Sequence, residues 1–321
     1  MIEQIAVCHG MGVDPFVNLA LEKYLLQAVQ ENQCILYLWQ NQNTVVIGRN
    51  QNAWAECRVA ALEADGGKLV RRLSGGGAVF HDLGNLNFTF LVPESQYDLD
   101  RQLEVIRQAC LMAGIQTEKS GRNDLLAEGR KFSGNAFYHA GGKAYHHGTI
   151  LIDVDGEKLQ RYLSPPAAKL AAKGVSSVRS RVVNLKELAP ELTCAQMKAY
   201  LIRAFGQVYG LEPEIMAAPE ASALAETVAE FSSWEYRYGR QLTFSAQCSG
   251  QFPWGHLQIQ LQVAGGVIED LEVYSDAMDW SLPDRIRRGL VGCRFETEAL
   301  TKAVDKLDWS SEVMELLRQA L

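Results

Sequence analysis

The chain has 321 residues, with 31 lysines and arginines against 38 aspartates and glutamates, a formal net charge of −7, and hydrophobic and charged shares of 47% and 21%. This composition is that of a folded globular protein long enough for one large domain and a small one, since domains run about 100 to 200 residues. The acidic balance disfavours nucleic acid as a partner, because polyanion binding rests on neutralised phosphates, although Arg71–Arg72 and Arg130–Lys131 still set up local positive fields.

The opening MIEQIAVCHG lacks a basic stretch followed by an apolar core, and no apolar run approaches the ~18 residues of a membrane span. Neither secretion nor a membrane partner is expected. Seven cysteines, Cys8, Cys34, Cys57, Cys110, Cys194, Cys248 and Cys293, are scattered and form no CxxC pair. That pattern argues against a disulfide framework or a zinc cage and predicts a reducing, cytoplasmic setting.

In chain order, Asp14–Pro15 predicts a helix start, with Val17, Ala20, Tyr24 and Ala28 at helical spacing to about Val29. Ile35–Trp39 and Thr44–Ile47 read as strands, and the polar linker Gln40–Asn43 between them is short enough for a hairpin. Lys68–Arg72, Ala78–Phe80 and Leu86–Leu91 read as further strands broken by Ser74–Gly77 and Asp82–Asn85. Leu103–Met112 reads as a helix, and Asp124–Ala127, Lys131–Tyr138 and Gly148–Val154 as more strands. Without regular βαβ alternation the pattern predicts an α+β fold, a mixed sheet flanked by helices, rather than a doubly wound one.

Helices are predicted at Leu192–Tyr209 and Ala221–Phe231. The aromatic cluster Trp234–Gly239 then changes the texture, so the boundary is set at residue 240, dividing 1–240 from 241–321. Beyond it His256–Val263 alternates polar and apolar, Gly265–Gly266 offers a turn into Val267–Tyr274, and two or three helices complete a small α+β module.

Three clusters could carry chemistry. Arg71-Arg72-Leu73-Ser74-Gly75-Gly76-Gly77-Ala78-Val79-Phe80-His81-Asp82, continuing to Gly84-Asn85, has three glycines that allow close backbone approach and a nest of N–H groups for phosphate oxygens. It is no Walker loop, since no Gly-Lys-Ser/Thr follows. Alone it reads as a tight turn with solvated arginines. In the second cluster, Gly121-Arg122-Asn123-Asp124 then Gly129-Arg130-Lys131-Phe132-Ser133-Gly134-Asn135-Ala136, Lys131 stands before small residues, where its ammonium could meet a phosphate or carboxylate; alone it reads as a solvated lysine. The third is His146-His147-Gly148-Thr149. With His139 nearby a metal site is imaginable, but no carboxylate or cysteine stands at ligand spacing, so a ligand-positioning or packed histidine is the better reading. Ser74 lacks the Gly-x-Ser-x-Gly context of a hydrolase nucleophile, and no Ser-His-Asp order is recognisable.

Together, in this order and spacing, the clusters resemble the lipoate-protein ligase A family, in which RRxSGGGAVFHDxGN, GRNDL with GRKxSGxA, and HHGT recur. The resemblance covers about residues 1 to 240, with further matches at Ile47–Asn52 and Ser180–Leu185, while Tyr274-Ser275-Asp276-Ala277 looks like the family's C-terminal accessory domain. Leu73 departs from relatives that carry another basic residue there. The likeness implies the catalytic fold shared with biotin protein ligases. It implies that lipoic acid is activated with ATP and Mg2+ as lipoyl-AMP, then passed to a lysine of an apo lipoyl domain of an oxoacid dehydrogenase acyltransferase, of the glycine cleavage H protein, or of both. Position by position it implies that Lys131 is catalytic, contacting both the lipoyl carboxyl and the α-phosphate. Arg72, Gly77, Ala78, Val79, Phe80, Asn85, Asn123, Asp124, Lys131 and Thr149 would serve ATP. Arg72, Ser74, Gly76, Gly77, His81, Lys131, Ala136 and His147 would serve lipoate. The metal ligands are not legible, and a monomer is expected.

Three rivals remain at this level. An ATP-independent lipoyl or octanoyl transferase would need a cysteine nucleophile, and the stretch between Cys110 and Cys194 that holds two of the three clusters contains none. A lipoate-binding paralogue without catalysis would have had no need of Lys131. A biotin ligase would carry a Gly-Arg-Gly-Arg-rich loop, to which Gly48-Arg49-Asn50-Gln51 is the nearest approach.

Overall fold

A computed structural model describes residues 1–120, 124–164, 182–238, 246–305, 307 and 309–320. The strands are β1 (Gln4–His9), β2 (Gln33–Trp39), β3 (Thr44–Ile47), β4 (Lys68–Arg71), β5 (Val79–His81), β6 (Asn85–Pro93), β7 (Glu118–Ser120), β8 (Asp124–Ala127), β9 (Arg130–Ala140), β10 (Lys143–Leu151), β11 (Glu214–Ile215), β12 (Ala246–Phe252), β13 (Gly255–Ala264) and β14 (Val267–Ser275). A large mixed sheet runs β11-β1-β2-β6-β10-β9-β8-β7, a small one β4-β3-β5, and a third β12-β13-β14. The α+β expectation holds.

The large sheet is covered on both faces. One face packs against helix Leu99–Met112 and helix Cys194–Tyr209, around Phe88, Phe90, Ile106 and Phe205; the other packs against helix Pro15–Ala28 and helix Ala221–Ser232, around Leu21, Leu25, Tyr37 and Phe231. Central β6 is therefore buried at all nine positions, polar ones included. Asp14 caps the first helix, accepting from the amides of Phe16 and Val17, with Pro15 in the first turn. Of the four positions that the spacing picks out, Ala20 is buried and Val17 half-buried against the core, but the buried face is wider and turned from the other two. Leu19, Leu21, Glu22, Leu25 and Leu26 point inward while Tyr24 and Ala28 are exposed.

The hairpin expected from Ile35–Trp39 and Thr44–Ile47 does not form. β2 is already paired by β1 on one side and β6 on the other, so β3 finds no free edge there and instead builds the small sheet with β4 in parallel and β5 antiparallel. The linker Gln40–Asn43 crosses between the two sheets. The strand expected at Gly148–Val154 begins earlier, at Lys143, because Gly141 and Gly142 take φ of 59° and 72° and make the turn from β9. His146 and His147 thus lie inside β10. The C-terminal hairpin falls as expected, Gly265–Gly266 turning β13 into β14, with β12 added in front and three helices behind, Leu282–Leu290, Thr297–Val304 and Ser310–Ala320. The boundary at residue 240 falls outside the described residues.

Candidate active site

Arg72 leaves β4 with its amide donating to Ile47 O at 3.0 Å, and its side chain turns inward until the residue is 6% exposed. The guanidinium donates to the carbonyls of Gly75 (2.7 Å), Gly77 (2.8 Å) and Val46 (3.2 Å) and to Ser74 Oγ (3.0 Å). One cation thus winds the glycine loop around itself. Because C=O and N–H oppose each other in a planar peptide, carbonyls aimed at Arg72 send the amides of Gly76 and Ala78 away from it. That of Gly76 reaches Ala277 O at 3.1 Å. A Cβ on Gly75 would lie 2.3 Å from the same carbonyl, and Gly76 holds a φ of 88°, so both positions demand glycine. Burial lowers the pKa of Arg72 to about 10 against the opposing pull of Tyr145 and Glu22, which leaves it charged at neutral pH.

Arg71 does different work. It donates to the carbonyls of Gly48, Arg49, Gln51, Tyr236 and Arg237 and so ties the Gly48–Gln51 turn to the helix Trp234–Tyr238. The two adjacent arginines, read together in the sequence as one positive field, divide into a tether and a loop-former.

Lys131 lies near the start of β9, opposite Leu126 across a bulge that follows Leu125. Its Nζ is 2.7 Å from Asp124 Oδ1, with both side chains partly exposed. The ammonium arches over Gly134: a Cβ there would be 2.8 Å from Nζ. The amide of Gly134 donates to Thr149 Oγ1 at 3.3 Å, which joins β9 to β10 beside the lysine.

Side chains alternate along a strand, so His146 and His147 point to opposite faces and cannot share a ligand. His146 is buried among Phe88, Phe90 and Phe137, with Asn135 Oδ1 2.8 Å from Nε2 and Gln102 Oε1 3.1 Å from Nδ1. A neutral ring donates only once, and Gln102 has an amide nitrogen without a partner, so turning that amide supplies the donor to Nδ1. Burial, then His147, pushes the pKa of His146 down to about 3. His147 instead meets Ser74 Oγ through Nε2 (2.7 Å) and Glu22 Oε1 through Nδ1 (2.8 Å). His81, beside Asn41, is held near 3 by burial and then by Arg72 and His147. His139 pairs at 3.3 Å with Glu94, away from both.

Ser74, His147 and Glu22 thus have the contacts of a hydrolase triad, which their scattered positions in the chain conceal. Ser74 is fully buried, however, and its oxygen already accepts from Arg72 Nε, so an acyl carbon has no approach.

These parts surround one cavity of about 250 Å³. Leu19, Trp39, Val46 and Val79 give it an apolar wall from the core beneath the first helix, and Phe80, Leu151, Leu159 and Leu163 a second from the core around the small sheet. Arg72, Gly76, Gly77, Ala78, His81, Ala136, His147, Asp124, Lys131 and Thr149 line it as well. Asp276 and Met278 of the C-terminal segment close one side. That segment is seated by Gly76 on Ala277, by Ser275 N donating to Asn50 O (2.9 Å) and by Asn50 Nδ2 donating to Trp280 O (2.8 Å), while the Trp280 ring lies against Tyr138 and Arg49. None of the seven cysteines lines the cavity, and burial raises the thiol pKa of Cys110 to about 12.

A family profile described as the lipoyl protein ligase A/B catalytic domain matches residues 14–206, and one described as the bacterial lipoate protein ligase C-terminus matches residues 241–320. The chain belongs to the lipoate-protein ligase A family. Lipoate-protein ligase A of Blochmanniella pennsylvanica (strain BPEN) is 40% identical to it over 297 residues, 89% of this chain and 88% of that protein. The structure of P. falciparum LipL1 in complex with lipoate has a TM-score of 0.86 at 27% identity, covering 98% of this chain and 99% of that one. A bipartite lipoate protein ligase of Thermoplasma acidophilum, described with its E2 lipoyl domain, shares the fold at a TM-score of 0.66 and 24% identity, over 76% of this chain and 99% of that one.

Of the positions that the resemblance to this ligase family picked out, all but three line the cavity. Ser74 stands behind the wall on His147, and Asn85 is buried, donating to Asn87 Oδ1 at 2.8 Å. Asn123, with Gly121 and Arg122, lies outside the described residues. Residue-level reading missed Glu22, Trp39, Asn87, Asp276 and Met278. A glutamate inside an otherwise apolar helix stripe was the available signal for the first.

Proposed function

We propose that this protein joins lipoic acid to ATP as lipoyl-AMP and then transfers the lipoyl group to a lysine of an acceptor protein. In the first step a carboxylate oxygen attacks the α-phosphorus and pyrophosphate leaves. In the second the lysine amine, having lost a proton, attacks the acyl carbon and AMP leaves. What carries the reading is the presence in one cavity of two fixed cations, Lys131 and Arg72, next to an apolar wall of Leu19, Trp39 and Val46. Two anions must approach each other in the first step, and only preset positive groups offset their repulsion without reorganising as charge builds up. Lys131 would bridge carboxylate and α-phosphate, the Ala78 amide turned outward by Arg72 would meet a phosphate oxygen, and the second apolar wall would take the adenine. Asp276 and Met278 would help keep water from the mixed anhydride.

Mg2+ accompanies ATP in this reading. Among the described residues no group of three or more histidine, cysteine or acidic side chains could hold a metal alone, while Asp124 offers one carboxylate beside Lys131. That suits an ion carried mainly by phosphate oxygens and water, which would offset their charge when bound. The acceptors are apo lipoyl domains of oxoacid dehydrogenase acyltransferases, the glycine cleavage H protein, or both, with the enzyme acting as a cytoplasmic monomer of two domains divided near residue 240. Incubation with lipoate, Mg2+ and α-labelled ATP, without acceptor, is expected to yield lipoyl-AMP and pyrophosphate. Their absence, with consumption of an acyl-carrier donor instead, would replace this reading with the transferase.

A further inference from the structure

We infer that Glu22, which does not line the cavity, is a positioning residue that sets Arg72, His147 and Trp39 from behind. The inference rests on the reading above only for what the positioned groups then do. Glu22 is 2% exposed, and two hydrogen-bond paths converge on its Oε1. On one, Arg72 Nε donates to Ser74 Oγ (3.0 Å), Ser74 lies 2.7 Å from His147 Nε2, and His147 Nδ1 lies 2.8 Å from Glu22. On the other, Trp39 Nε1 donates to Thr89 Oγ1 (3.1 Å), whose hydroxyl donates to Glu22 (2.7 Å).

A carboxylate only accepts, so His147 carries a hydrogen on Nδ1; in the tautomer with that hydrogen alone Nε2 accepts, and Ser74 turns its single hydrogen there. Every donor along both paths points towards Glu22. Arg72 Nε is thereby held on Ser74 while Nη2 holds the carbonyls of Gly75 and Gly77, and the orientation of the glycine loop is coupled to an acid across the apolar core. Burying a carboxylate is costly unless its partners repay it. Here each path ends on a residue of the cavity wall, which is what a positioning role requires and a packing role does not.

The test is imidazole nitrogen NMR of the ligand-free full chain, together with adenylation kinetics. In the wild type, His147 is expected as the Nδ1–H tautomer. Glu22→Ala should mix the tautomers, and Glu22→Gln, which keeps an acceptor oxygen, should restore Nδ1–H. Glu22→Ala and Ser74→Ala should each slow lipoyl-AMP formation about tenfold or more, and the double variant should be no slower than the worse single one, because both cut one path. An Nε2–H ring in the wild type, an unchanged tautomer in Glu22→Ala, or multiplying losses would overturn the inference. Should Glu22→Ala not fold, the wild-type ring and Glu22→Gln still decide. A wild type that makes no lipoyl-AMP yet shows the Nδ1–H ring would sink the proposed function and leave the positioning intact.

Discussion

Lys131 Nζ and Asp124 Oδ1 lie 2.7 Å apart on the wall of the cavity, so the group best suited to meet two substrate anions is held by an acid of its own. The pair keeps the ammonium aimed while both side chains stay partly exposed, and an exposed pair contributes little to folding. Lys131→Ala is therefore expected to leave the melting temperature within a few degrees and to slow lipoyl-AMP formation by about two to three orders of magnitude, as loss of a transition-state donor does. Near-normal turnover of labelled ATP in that variant would remove Lys131 from the mechanism.

Gly134→Ala tests the same lysine without touching its charge. The added Cβ would sit 2.8 Å from Nζ and 3.0 Å from Cε, and the ammonium, the far end of a flexible chain, is what must shift. Displacement of about 1 Å in a positioned group can cost on the order of 100-fold. Adenylation should fall by about 10- to 100-fold while urea unfolding changes little. A fully active variant would mean that Lys131 works from another rotamer.

Much of this was legible in the sequence, and the limits have physical causes. The glycine loop, Lys131 and the two histidines are local strings whose chemistry survives without coordinates. Glu22 was not legible, because the first helix was read by the spacing of Val17, Ala20, Tyr24 and Ala28, whereas the sheet buries the stripe through Leu19, Glu22 and Leu26. Nor could spacing separate Arg71 from Arg72, since one serves distant carbonyls and the other its own loop. The fate of β3 turned on β2 having both edges occupied, a fact about strands distant in sequence. The seat of Asp276 and Met278 on the cavity joins residues about 200 positions apart, which no periodicity records.

That seat is itself testable. Gly75→Ala would push a Cβ to 2.3 Å from Ala277 O and 2.9 Å from Met278 O, both backbone atoms that cannot yield as a side chain does. The C-terminal segment should lift from the loop, and amide hydrogen exchange at Gly76 and Ser275, whose N–H groups donate to Ala277 and Asn50, should speed up about tenfold or more. Unchanged protection at both amides would show that the contact is looser than the geometry says.

Buried neutral histidines give the protein an acid limit. His81 and His146 are both held to about 3 by burial, against 6.5 for the free side chain. Between those values the unfolded chain binds the protons and the folded one does not, so stability is lost as pH falls from about 6.5 towards 3, with a slope near 1.4 kcal/mol per pH unit for each histidine once the unfolded side chain is protonated. His146→Phe suits a site already lined by Phe88, Phe90 and Phe137, although it removes the ring bonded to Asn135 Oδ1 and to the Gln102 amide and should lower stability at pH 7 by about 1 to 3 kcal/mol. Urea unfolding from pH 7 to pH 4.5 should then fall less steeply in the variant, by one histidine's share. Parallel curves would mean that His146 takes up its proton as readily in the folded protein as in the unfolded chain.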